Sequence, residues 1–258
     1  MDNVGAILGP LAAIGLVAAV GTRGAIGLSV IPGLLAAAAI IYAIRHTPAA
    51  LPRAHRPLRI RVRPVLTGAL RPLFAGIGAF ELGNCAATLL ILRATELFEP
   101  GRSIDAATTA ALTLYLTYNA AAALTSLAAG RHSDRMGATR VLSLGVAAFA
   151  FAYLGFTRDT SAWLGLLPWF VLAGVGIGCV ETAEHAAVAA HAPTDLRGSA
   201  FGLLAGIQSI GNLAASGIAG ILWTALSPSW AFACLTAWMV TALVVITRQP
   251  RVWPTAAH

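Results

Sequence analysis

The feature that most constrains this chain is a succession of apolar runs, each close to 20 residues long, separated by short polar breaks. A helix needs about 20 apolar residues to cross roughly 30 Å of hydrocarbon. Read against that length, the chain offers eight candidate spans, at residues 4–20, 25–44, 73–92, 106–129, 141–157, 161–185, 199–223 and 229–247. The second, fourth and eighth contain no charged residue. The first has no basic segment ahead of it and no small-residue cleavage pattern after it, so it reads as a span and not as a leader. Composition agrees: 58% of the 258 residues are hydrophobic, 10% are charged and the mean hydropathy is +0.78. A water-facing domain carries about 25% charged residues. Soluble enzymes, nucleic-acid-binding domains and disordered tails are excluded. The expected fold is all-α, a polytopic membrane helix bundle of about eight transmembrane helices. Cys85, Cys179 and Cys234 all sit in apolar runs and read as packing residues, with neither a disulfide framework nor metal-ligand spacing.

Arginine sets the orientation. The connection 45–71 holds Arg45, Arg53, Arg56, Arg59, Arg61, Arg63 and Arg71, and the same side takes Arg131, Arg135, Arg140, Arg197, Arg248 and Arg251. The other side has Arg23, Arg93, Arg102 and Arg158. The positive-inside rule then puts both termini and the 45–71 loop in the cytoplasm. Trp163, Trp223 and Trp230 fall near the outer boundary, as an aromatic belt predicts. The seven unopposed arginines of the loop equal the net charge of +7. The run RPLRIRVRP within it fits contact with anionic lipid headgroups, and beside eight spans no nucleic-acid partner is expected.

Ionisable and amide side chains within spans are rare and by default point to function. In the third span, Glu81, Asn84, Cys85 and Thr88 are spaced i, i+3, i+4 and i+7, which is one helical face. Tyr115, Tyr118 and Asn119 share a face in the fourth span, Glu181, Glu184 and His185 in the sixth, and Gln208 and Asn212 in the seventh. Four polar stripes on four helices predict a polar cavity. Hydrogen bonds that merely hold helices together are the competing reading, with even weight for Asn119, Gln208 and Asn212 taken singly. For Glu81 that reading is weaker, because a mid-span carboxylate without a nearby base is protonated or seeks a partner. Glu184 and His185 precede a less hydrophobic stretch, so snorkelling to the cytoplasmic interface is an alternative for them. Glu181-x-x-Glu184-His185 has no second copy and does not match a di-iron pattern, so no metal is expected. Gly174-x-Gly176-x-Gly178 is preceded by no strand, and it reads as close helix packing, as does Gly202/Gly206. No nucleophile–base constellation lies at one depth, so neither enzymatic activity nor a cofactor is expected.

The connection between the fourth and fifth spans reads Gly130-Arg-His-Ser-Asp134-Arg135-Met-Gly137-Ala-Thr-Arg140. It resembles the signature loop G-x-x-x-D-R-x-G-x-x-[RK] of the major facilitator superfamily of transporters. It departs from the usual pattern at His132, where leucine is common, and at Ala138-Thr139, where bases are common. Gly5-Ala-Ile-Leu-Gly9-Pro10 is similar to the glycine-proline motif of the fifth helix in efflux-type members, with Ala13 and Ile14 in place of two later glycines. Residues 194–202 look like the loop leading into the eleventh helix.

The resemblance implies that residues 1–44 are the last two helices of an N-terminal half, 45–72 the cytoplasmic linker, 73–248 a C-terminal six-helix half and 249–258 a cytoplasmic tail. The chain would then begin at the fifth helix of a twelve-helix pattern. It further implies a multi-pass protein of the cytoplasmic (inner) membrane, a proton-driven antiporter exporting a small organic solute by alternating access. Substrate and proton contacts would come from Glu81, Asn84, Tyr115, Asn119, Glu181, Gln208 and Asn212. Gly130, Asp134, Arg135, Gly137 and Arg140 would form the cytoplasmic gate, and Gly5, Gly9 and Pro10 the helix-five motif. A non-transporting bundle that binds a partner, senses a signal or is an inactive remnant is the rival.

The arginine distribution generates a direct test of topology. In a cysteine-free background, cysteines placed at Ala50 or Leu58 should resist a membrane-impermeant maleimide applied outside intact cells. Efficient labelling would reverse the orientation.

Overall fold

The computed structural model describes residues 2–46, 64–65 and 70–248, and these form helices without strands. The basic run 53–63 and the tail 249–258 lie outside the described residues. The helices are α1 (Asp2–Leu28), α2 (Val30–His46), α3 (Leu70–Glu81), α4 (Ala87–Phe98), α5 (Ile104–Met136), α6 (Ala138–Phe156), α7 (Trp163–His191), α8 (Arg197–Ala225) and α9 (Pro228–Arg248). By length and composition, Leu11–Leu28, Ala138–Phe156, Trp163–His191, Arg197–Ala225 and Pro228–Arg248 are sufficient to cross a membrane, while Val30–Ala43 is apolar but shorter.

Two of the expected spans differ from the sequence reading. The third is not one helix. It is interrupted at Leu82–Ala86, between α3 and α4. The fourth, inside α5, is long but rich in threonine and tyrosine, which lowers its hydropathy. Its hydroxyls are satisfied within the helix: Thr109 donates to the Asp105 carbonyl at 2.8 Å, Thr113 to the Thr109 carbonyl at 2.8 Å and Thr117 to the Leu114 carbonyl at 2.7 Å. The break expected between the first two spans is a kink at Gly21 (φ 72°, ψ 170°), with helix resuming directly after it. A left-handed φ at that point suits glycine.

The helix ends follow the sequence. Ser103 caps α5, its hydroxyl accepting from the Ala106 amide at 3.3 Å, and Asp105 lies in the first turn, where the helix dipole favours an anion. Asp105 also ties α5 to α1. Its Oδ1 accepts from the Thr22 hydroxyl at 2.7 Å and the Thr22 amide at 3.1 Å, and these bonds hold the carboxyl below its ordinary range. Ser227 precedes Pro228 at the start of α9 and accepts from the Trp230 amide at 3.4 Å.

The core is aromatic. Phe80 of α3 meets Phe149 of α6 at 5.5 Å between ring centroids, and Phe149 meets Tyr153 at 5.5 Å. Phe232 of α9 lies 5.9 Å from Tyr153 and 5.2 Å from Phe156, which in turn meets Phe170 of α7 edge-on at 5.2 Å. Around this chain α7 is clamped between α5 and α6, and α9 closes against α6. By contrast α2 carries Ile31, Leu34, Leu35, Ile40 and Ile41 more than half exposed.

The glycine run of α7 explains the clamp. A side chain at Gly174 would overlap the Tyr118 carbonyl of α5, and one at Gly178 would put its Cβ 2.6 Å from the Ala122 carbonyl. Between them, Gly176 faces α6, where a Cβ would come 2.7 Å from Phe149. Gly145 of α6 answers it, a Cβ there lying 2.8 Å from the Gly176 carbonyl. Glycines four apart thus admit one helix and the glycine between them admits another. Gly202 and Gly206 do not share this role, since nothing lies within 4 Å of a Cβ built on either. The contrast is measurable. Gly178→Ala should destabilise the bundle by about 1–3 kcal/mol, the range for overpacking a tight contact. Gly206→Ala should leave thermal unfolding in detergent unchanged or slightly improved.

Candidate functional site

The interruption between α3 and α4 is the centre of the site. Its sequence, Leu-Gly-Asn-Cys-Ala, carries the turn formers glycine and asparagine inside an apolar run. Gly83 is required by packing: a Cβ there would come 2.5 Å from the Trp238 indole of α9. Backbone left unpaired at membrane depth must be satisfied by protein. Here the Ala79 carbonyl accepts from the Trp238 indole N–H at 2.7 Å, and the Asn84 carbonyl accepts from the Asn212 amide at 2.9 Å. The Ala86 amide donates to the Ser216 hydroxyl at 2.9 Å. Asn212 and Ser216 are one turn apart on α8, so one face of α8 and the Trp238 indole of α9 together close the break.

Glu81, the last residue of α3, is buried, and its Oε2 accepts from the Asn84 side-chain amide at 3.0 Å. The close partner of its Cβ is Gly211 of α8, where an added Cβ would stand 2.5 Å away. One turn earlier on the same helix, Gln208 donates to Glu184 Oε2 of α7 at 2.9 Å. Glu184 is 0% exposed, whereas Glu181 and His185 on the same helix are exposed. Glu81, Glu181 and Glu184 lie near enough to feel one another's charge. On α5, Tyr115 and Tyr118 stack at 5.4 Å, and Tyr118 is within electrostatic reach of Glu181. Asn119 is buried, with its amide donating to the Tyr115 carbonyl of its own helix at 2.9 Å.

Several sequence expectations need correction. Glu81, Asn84, Cys85 and Thr88 do not share a helical face, because the helix ends at Glu81. Asn84 still reaches Glu81 across the turn, but the Cys85 thiol turns to the Tyr153 hydroxyl at 3.5 Å, and Thr88 is exposed at the start of α4. Glu184 does not snorkel, since it is enclosed and α7 continues to His191. Among the described residues no group of three His, Cys, Asp or Glu is arranged to hold a metal ion.

The signature segment is less of a loop than its sequence suggests. Residues 130–136 are the last turns of α5, and Gly137 alone (φ 88°, ψ 141°) makes the corner into α6. The Gly137 amide closes α5 on the Ser133 carbonyl at 3.0 Å, and the Arg140 amide returns to the Gly137 carbonyl at 3.2 Å. Asp134, Arg135 and Arg140 are exposed, and Asp134 makes no ion pair among the described residues. Gly5, Gly9 and Pro10 fall inside α1, with nothing within 4 Å of a Cβ at Gly9.

Arg93, which the sequence reading places on the outer side, is buried within α4. Its guanidinium pairs with Asp159 at 2.5 Å and donates to the Phe156 carbonyl at 3.3 Å, the Arg158 carbonyl at 3.5 Å and the Ser229 hydroxyl at 3.3 Å. Nearby, the Trp223 indole donates to Glu96 at 3.1 Å. The signal was present in the sequence, as an arginine following the apolar run ATLLIL.

A multi-pass helix bundle with an interrupted helix and buried carboxyls has a ready counterpart among known proteins. The model of the Major Facilitator Superfamily matches residues 97–256, and the chain belongs to that family of membrane transporters. It is similar to an MFS-type transporter of Methanocaldococcus jannaschii, with 32% identity over 163 residues, or 62% of this chain and 40% of that protein. It is also similar to proteins of Mycobacterium bovis and Mycobacterium tuberculosis, each 31% identical over an alignment of 267 residues, or 98% of this chain and 62% of theirs. The chain therefore spans 40–62% of the length of these relatives.

The closure of the break can be tested residue by residue. Asn212→Ala or Ser216→Ala strands one partly buried backbone group, a loss of about 1–3 kcal/mol. Each variant should unfold at lower temperature than wild type in detergent, whereas Ser209→Ala, on an exposed face of α8, should not.

Proposed function

We propose that the protein is a secondary transporter that exports a small organic solute in exchange for protons, by alternating access at the cytoplasmic membrane. The observation that carries this reading is the interrupted helix with the buried Glu81 at its broken end, bonded to Asn84 across the turn. Discontinuous helices near mid-membrane are where secondary transporters bind substrate and coupling ions. An unwound turn lets a carboxyl, backbone carbonyls and amides meet a solute without breaking the hydrogen bonding of a whole helix. Family membership supports the same conclusion.

Glu81 is the coupling carboxyl and Asn84 its hydrogen-bond partner, while Glu181 and the stacked Tyr115 and Tyr118 face the substrate path. Gln208 fixes Glu184, and Asn212 and Asn119 hold backbone in place. A cluster of acidic groups favours a cationic or neutral solute over an anion. Gly130, Asp134, Arg135, Gly137 and Arg140 form the cytoplasmic gate, with the exposed Asp134 available to a partner outside the described residues. The arginine distribution supports cytoplasmic termini and a 45–71 loop lying against anionic headgroups.

The test is transport by the full-length protein in proteoliposomes under an imposed pH gradient, with a panel of small fluorescent cations and neutral dyes as probes. Glu81→Gln keeps the shape and most hydrogen bonds but cannot titrate. It should abolish gradient-driven flux, while dye binding, read by fluorescence polarisation, survives. Unchanged pH-dependent flux in this variant would remove Glu81 from the coupling mechanism. No flux of any probe with the wild-type protein would count against the carrier reading itself.

A further inference from the structure

A helix bends sharply for a short list of reasons, among them a proline or a side chain that enters its ladder of backbone hydrogen bonds. The bend in α1 falls at Gly21, far along the helix from Pro10. In an uninterrupted helix the Thr22 amide would bond the Ala18 carbonyl. It donates instead to Asp105 Oδ1 of α5 at 3.1 Å, and the Thr22 hydroxyl donates to the same oxygen at 2.7 Å. Asp105 therefore caps the resumed segment of α1 as an aspartate caps an ordinary helix, except that it comes from another helix. The same carboxylate lies in the first turn of α5, so it stands at the positive ends of two helical segments at once.

Packing does not force the bend. Beside the kink an open cleft of about 500 Å³ lies between α1 and α5, walled by small residues such as Ala18, Ala106 and Ala110. Nor does crowding at Gly21 decide it, since a Cβ built there would meet Asp105 Oδ2 at 3.6 Å, an ordinary contact. What requires glycine is the left-handed φ of 72°. The bend thus has one permissive residue in α1 and one external partner in α5.

We propose that Asp105 is a positioning residue that makes the bend in α1 conditional on the docking of α5. While the first turn of α5 lies against Thr22, the carboxylate holds the Thr22 amide and α1 is bent. When the two helices part there, the amide returns to the Ala18 carbonyl. The stretch GLVAAVGTRGAIGL contains no proline, so α1 then runs straight through Gly21. The resumed segment takes α2 with it. The Ser29 amide bonds the Ala25 carbonyl at 3.0 Å and the Gly33 amide the Ser29 carbonyl at 3.5 Å, which carries the helix across their junction. A small displacement at one carboxylate is converted into a reorientation of residues 22–46. This device goes beyond the carrier reading and does not rest on it.

The test uses the full-length protein in lipid nanodiscs, with nitroxides on cysteines placed at the exposed Leu11 and Ile26 in a cysteine-free background. Pulsed electron paramagnetic resonance gives the distance across the bend, and hydrogen exchange gives the protection of the Thr22 amide. Gly21→Ala supplies the reference for a straight α1, because alanine is strained at that φ. Asp105→Ala should move the distance from the wild-type value to that of Gly21→Ala. It should also slow exchange at Thr22 by about tenfold, the worth of one hydrogen bond regained within the helix. Asp105→Asn retains an acceptor oxygen and should keep the wild-type distance. Thr22→Val loses one of the two bonds and should populate both distances, and it carries the test if Asp105→Ala does not fold. A wild-type distance in whichever of these two variants folds would overturn the proposal. So would faster exchange at Thr22 in Asp105→Ala, since the bend would then outlast its cap and belong to α1 alone.

Discussion

The rest of the site depends on how unpaired backbone is accommodated in a membrane. Lipid offers no donor or acceptor, so a helix interrupted at Leu82–Ala86 persists only if other helices supply them. The Trp238 indole, the Asn212 amide and the Ser216 hydroxyl do so from two different helices. Their bonds fix the relative positions of α3, α8 and α9. That in turn sets Gly211 against Glu81 and leaves Gln208 to meet Glu184. The polar stripe on α8 therefore has two duties: Asn212 and Ser216 hold backbone, while Gln208 holds a carboxyl.

The second determinant is close approach. Gly174 and Gly178 bring α7 onto α5, and Gly176 with Gly145 brings it onto α6. Van der Waals packing of small residues replaces the hydrophobic effect as the source of helix association in lipid. With α7 held from both sides, Glu184 is fully buried. The same backbone contacts that secure the bundle thus create the dry setting in which its carboxyl sits.

Much of this was legible in the sequence. Long apolar runs identified a multi-pass bundle, and the Gly130–Arg140 pattern identified the family, because both signals depend on composition and local spacing alone. The glycine run of α7 was also readable, since small residues four apart have few other uses in a span. What could not be read was long-range. The gap in the third span was hidden because Gly83-Asn84 lies within residues apolar enough to continue a helix, and the groups that stabilise it come from far along the chain. Glu181 and Glu184 looked equivalent by spacing, and only the packing of α8 buries one and exposes the other. The burial of Arg93 was hidden because its four acceptors are supplied by segments more than sixty residues later.

That guanidinium has a mechanical consequence. It joins α4, the α6–α7 connection and the start of α9 at one end of the bundle, so that rim behaves as a knot tied through a single planar group. The opposite end is built otherwise. There α5 and α6 meet at one glycine, and the buried hydroxyls of Ser133 and Thr139 on either side of it have no hydrogen-bond partner among the described residues. The two ends of the bundle are therefore closed by different means, a buried guanidinium with several acceptors at one and a single glycine corner at the other.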